Sequence, residues 1–124
     1  MEQNIKVVKV DPFLNMVFVD TVDNSLDGLY NAIGCSMVEI HPVWIEGVNF
    51  LYVCDEEALF NGDVLVSMGD KNGNIYGYNR LLFCKQDGEE LGSVTDEEAQ
   101  LVIKHTQLLR QPGEKGIGHT AVII

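Results

Sequence analysis

Apolar residues recur along this chain in two rhythms, one of strands and one of helices. Ile5 to Val10 and Met16 to Thr21 are rich in β-branched residues and predict two strands. Asp11 to Asn15 lie between them as a turn with Pro12 at its second position, so the two strands should pair as a hairpin. Leu26, Leu29, Tyr30 and Ile33 then follow helical spacing. Asn24 or Ser25 supplies the N-cap, and Gly34 stands where a helix end takes a left-handed residue. Gly28 inside this helix costs about 1 kcal/mol against Ala, which points to a close backbone approach.

Ser36 to Ile40 and Val48 to Cys54 predict two more strands, joined across a loop from His41 to Gly47. Asp55 to Glu57 open a polar connection with room for one helical turn, ending at Asn61 and Gly62. Val64 to Val66 read as a buried strand, Gly69 to Gly73 as a tight turn, and Asn74 to Tyr78 and Leu81 to Lys85 as strands. Gln86 to Glu90 then turn the chain into its best-signalled helix. Thr95 and Glu98 spell a capping box, and Asp96, Glu97 and Glu98 complement the helix dipole. Ala99, Val102, Ile103, Thr106 and Leu109 extend one apolar face to Arg110, and Gln111, Pro112 and Gly113 stop it. Ala121 to Ile124 predict a closing edge strand. The sum is an α+β domain: a mostly antiparallel sheet with two helices packed on one face.

At 124 residues the chain is one domain, 1–124, with a glycine-rich C-terminal tail over 111–124. No apolar run approaches the roughly 18 residues that span a bilayer, and no signal peptide is visible, so a cytoplasmic protein without membrane contact is expected. Cys35, Cys54 and Cys84 are odd in number and embedded in apolar segments, as expected of reduced, buried thiols. Without a Cys-x-x-Cys or paired His, no metal site is expected.

Charge changes the picture when it is located. The net charge is −11, and between Lys9 and Lys71 there is no Lys or Arg against eleven Asp and Glu. From residue 99 onward Lys104, Arg110 and Lys115 face Glu114 alone. Such a field repels nucleic acid, so direct DNA or RNA binding is not expected. It serves solubility, and it also suits a basic partner protein or one anion-accepting corner near the C-terminal helix.

The order of parts carries a resemblance. An opening strand from Ile5 to Val10 leads to Val22–Leu29, Ala32–Gly34 precedes Val38–Ile40, and Leu51–Glu57 follows. Asp70–Tyr76 sits ahead of an apolar strand, and Ser93–Glu98 opens the last helix. In this order residues 5 to about 105 resemble a small domain of unknown function common in bacteriophages, prophages and plasmids. The chain departs from that family at Asn61–Ser67, where members usually carry a Pro and an Asn-Arg pair. Here the nearest such pair is Asn79–Arg80. The resemblance implies a phage or prophage protein acting in the host cytoplasm, with a small α+β fold and no established activity. The chain is also similar, more loosely, to the phage Thoeris anti-defence proteins, which sequester cyclic ADP-ribose-type immune signals without cleaving them.

Gly113 to Thr120 has the skeleton of a phosphate-binding loop, but His119 stands where Lys is required, which argues against an NTPase. Its backbone can still curl N–H groups around an anion. Arg110, Lys115, Gly116, Gly118 and His119 are therefore the expected phosphate ligands, with Phe83 and Tyr76 against a base or ribose; Asn79 and Arg80 stand second to these. Trp44 suits either a core anchor or an interface. Acids at 55–57, 89–90 and 96–98 read as solvated caps, and His41 and His105 as structural residues, so no catalytic set and no cofactor are expected. The leading expectation is a non-enzymatic counter-defence protein that sequesters a phosphate-bearing nucleotide signal, cyclic ADP-ribose-like or a cyclic nucleotide. It would be a homodimer or larger homo-oligomer. The rival is an acidic protein–protein inhibitor or DNA mimic acting on a host defence factor, and the third reading is an inactive accessory protein.

Overall fold

A computed structural model describes residues 3–60 and 62–124. The described residues form ten strands, two α-helices and one 3-10 turn. β1 (Asn4–Asp11) and β2 (Met16–Asp23) form the expected hairpin, in register from Asn4 opposite Asp23 to Asp11 opposite Met16. Helix α1 (Leu26–Ile33) is capped by Ser25, whose side chain accepts from the Gly28 N–H, and ends at Gly34 with φ 78°. Gly28 is required there, because a Cβ would lie 2.2 Å from the Asp23 carbonyl oxygen.

The expected loop at 41–47 is strand instead. β3 (Val38–Ile45) and β4 (Val48–Asp55) form a long hairpin closed by Glu46 and Gly47, both at positive φ. Trp44 therefore lies on β3 and is exposed. After the 3-10 turn (Ala58–Phe60) come β5 (Val66–Gly69), β6 (Ile75–Tyr78) and β7 (Leu81–Asp87). β5 lies two residues downstream of the expected strand. β8 (Glu90–Gly92), unforeseen, folds back on the end of β7.

Helix α2 starts as expected. The Thr95 hydroxyl accepts from the Glu98 N–H at 3.1 Å, and the Glu98 carboxylate accepts from the Thr95 N–H at 2.8 Å. It ends early, however, spanning only Asp96–Lys104. Thr106–Leu109 is strand β9, paired antiparallel with β10 (His119–Ile123). The apolar spacing suits either structure, and a distant partner strand overrides the helical preference. β10 is no edge: it runs between β9 and β5, parallel to β5.

The expected architecture, one sheet with both helices on one face, is overturned. One sheet has the order β2-β1-β7-β4-β3 with β8 attached to β7, and a second has the order β6-β5-β10-β9. The two helices cover opposite faces of the first sheet. On one face Ile5, Val7, Val53, Leu82 and Cys84 pack with Leu29 and Ile33 of α1. On the other, Val8, Val10, Phe50, Leu81 and Phe83 pack with Met68 and Val122 of the second sheet and with Ala99 and Val102 of α2. All three cysteines are free; Cys54 and Cys84 are buried and Cys35 is half-buried. No helix among the described residues is long and apolar enough to cross a membrane.

The capping box generates a direct prediction. Thr95→Ala should destabilise the protein by about 1 kcal/mol, read as a lowered urea midpoint at unchanged slope. An unchanged midpoint would show that the cap contributes nothing.

Candidate functional site

The expected phosphate site does not assemble. Phe83 is completely buried between the layers, where its ring meets Phe50 edge-on at 6.2 Å. His119 is 2% exposed; its Nδ1 faces the Glu114 carboxylate at 2.7 Å and its Nε2 the Val66 carbonyl at 2.6 Å. Both ring nitrogens are thus occupied by protein oxygens. The glycine-rich stretch is the β9–β10 loop rather than a tail. Gly118, at φ 100°, lets it close, since a Cβ there would meet the Leu109 carbonyl oxygen at 2.6 Å. Gln111 sews the loop to the neighbouring segment, donating to the Val64 carbonyl at 2.8 Å and accepting from the Val66 N–H at 3.0 Å. Lys115 and Gly116 sit on the exposed part of the loop.

Arg110 opens this loop, and Tyr76 lies on β6. Arg110 borders a small apolar recess of about 220 Å³ shared with Asp70, Ile75 and Pro112. The Tyr76 hydroxyl donates to Asp70 at 2.7 Å, and Asn74 Nδ2 donates to the same carboxylate at 2.9 Å. Hydrogen bonds from the Asn74 and Tyr76 side chains draw the Asp70 carboxyl down to about 2.

The structure does gather a different set. A recess of about 530 Å³ lies where the β1–β2 turn, the end of α1, the end of β4 and the β6–β7 turn converge. It is lined by Asn79, Arg80, Gly34, Cys35 and Ser36, with Arg80 Nη1 beside Gly34, and by Asp55, Glu57 and Asp63. Asn79 is held at φ 60° because its N–H donates to the Leu65 carbonyl at 2.7 Å and its side-chain oxygen accepts from the Leu65 N–H at 2.9 Å. Arg80 donates through Nε to Asp11 at 3.0 Å and lies over the Phe13 ring at 5.1 Å. Asp11, 2% exposed, also accepts from the Phe13 and Leu14 N–H groups at 3.1 and 3.2 Å. The Asn-Arg pair is thus a rigid wall element, with its cation already matched by a buried anion.

The electrostatics of the cleft follow from that match. With Arg80 matched to Asp11, Asp55, Glu57 and Asp63 set the sign of the cleft. Burial, then the charges of Asp55 and Glu57, push the Cys35 thiol up from its ordinary value despite a hydrogen bond with the Met37 backbone. A thiol so placed is a poor nucleophile. Between Glu57 and Asp63 the 3-10 turn holds Phe60 out at 84% exposure, with Leu59 beside it. Strand periodicity could not have found this cleft, because its walls come from four separate turns.

A second cluster was also missed. Glu39 and His41 on β3 and Cys54 on β4 bring their ligand atoms within 4.8 Å of one another. Two residues apart on one strand, Glu39 and His41 share a face; the register that places Cys54 opposite Glu39 was not readable.

The sequence profile of a family described as a domain of unknown function (DUF3846) matches residues 5–107. Comparison with curated proteins and with solved structures finds no match.

The hydrogen bonds to Asp70 set a pH prediction. Its carboxyl pKa is depressed from 3.8, so the turn stability it adds is complete above 3.8 and is lost as pH falls through about 2. Carbon-detected NMR should find Asp70 titrating near 2, and Tyr76→Phe should raise that midpoint. A midpoint of 3.8 in the unaltered protein would refute the geometry.

Proposed function

We propose, from the premise that this chain belongs to the DUF3846 family of unknown function, that it is a non-catalytic domain binding a basic segment of a partner protein. The observation that carries this reading is the acidic cleft: three carboxylates surround it while its arginine is neutralised by Asp11. Lysine or arginine side chains would enter toward Asp55, Glu57 and Asp63, and an apolar neighbour would cover Leu59 and Phe60. Exposed aromatics beside charge are common anchors of such contacts. On this reading the protein occupies a basic site on a host defence factor, which the phage-like resemblance would suit.

Capture of a phosphate-bearing nucleotide is the second reading, favoured by the volume of the cleft and by Asn79 and Arg80 in its wall. It places the ligand's anion among carboxylates, and for that reason it ranks below the first.

Calorimetry separates them. An amphipathic peptide of alternating Leu and Arg should bind, weaken steeply with added salt, and lose at least tenfold in affinity when Asp55→Lys and Glu57→Lys are combined. Cyclic ADP-ribose and cyclic nucleotides should give no heat. Nucleotide heat abolished by Arg80→Ala would instead establish the second reading.

A further inference from the structure

The Glu39–His41–Cys54 cluster lies outside the cleft, on the face of the first sheet that carries Val43, Ile45, Phe50 and Tyr52. Its three groups have the donor set of a zinc site: a carboxylate oxygen, an imidazole nitrogen and a sulfur. Glu39 Oε2 and His41 Nε2 already meet at 2.8 Å, and Cys54 opposes Glu39 across the β3–β4 pairing. The Tyr52 ring lies tilted against His41 at 5.5 Å between centroids. Ligands at about 2.0–2.3 Å from a tetrahedral zinc sit roughly 3.5 Å apart. The three ligand atoms lie within 4.8 Å of one another, close to that spacing.

We propose that Glu39, His41 and Cys54 form a Zn²⁺ site at the edge strand β3, with a fourth position open to solvent. The choice of metal follows from the donors. Thiolate and imidazole select against Ca²⁺ and Mg²⁺, which prefer all-oxygen shells. One thiolate and one carboxylate neutralise the dication, and the protein's net charge of −11 favours its approach. On binding, the Cys54 sulfur exchanges its proton, released to solvent, for the metal. Glu39 and His41 are each partly exposed, which provides an entry path.

Cobalt titration of the metal-stripped protein tests this. Co²⁺ should bind one per chain with a near-ultraviolet thiolate-to-cobalt band and the strong visible bands of a tetrahedral ion, and Zn²⁺ should displace it. Cys54→Ser should abolish the thiolate band, and His41→Ala should weaken Zn²⁺ at least tenfold. Cys84→Ser, on the opposite face of the sheet, should leave both unchanged. Circular dichroism checks that each variant folds; if Cys54→Ser does not, the partly exposed His41→Ala decides. A cobalt complex lacking the thiolate band, or zinc affinity unchanged in His41→Ala, would overturn the site.

Discussion

Leu81 to Cys84 have no exposed surface on either side, and that constraint organises the molecule. β7 runs between β1 and β4, so successive side chains must be covered above and below. Cover on one side comes from α1, and on the other from the second sheet and α2. Neither cover suffices alone: α1 has eight residues, and the second sheet reaches the core chiefly through Met68 and Val122. The residues that deliver the chain into β7 inherit this rigidity. Asn79 makes the left-handed turn and Arg80 locks onto buried Asp11, which fixes the wall of the acidic cleft. The cleft is therefore a by-product of how the central strand is entered.

What the sequence disclosed was mostly local. The first hairpin, both helix starts and the close approach at Gly28 follow from neighbours within a few residues, and each is found in the structure. Long-range pairings were not legible. Thr106 and Leu109 continue the helical spacing of α2, yet they join β10 across a loop stitched down by Gln111 and His119. The 41–47 stretch with Trp44, expected as a loop, is strand and turn, and edge strand β3 tolerates Pro42. The single-sheet expectation failed for the same reason, since periodicity shows that a strand has a covered face without showing by what. The resemblance to a family of unknown function is borne out over residues 5–107.

The candidate site shows the same division. Counting charge along the chain pointed to Arg110 and its loop, while folding scattered the residues expected to act together. Phe83 went to the core, His119 to a structural hydrogen-bond pair and Tyr76 to the Asp70 turn. The acidic excess between residues 10 and 70 proved the more local signal, since Asp55, Glu57 and Asp63 converge where four turns meet. A field of that sign discriminates against phosphate and favours ammonium or guanidinium groups.

On the proposed function, binding centres on this cleft rather than on the β9–β10 loop. The most direct test is an amide chemical-shift map recorded while the Leu-Arg peptide is titrated in. The account predicts perturbations concentrated at 13–14, 34–36, 55–63 and 79–80, with the amides of 110–118 unmoved. Perturbations centred on 110–118, with the cleft silent, would contradict it.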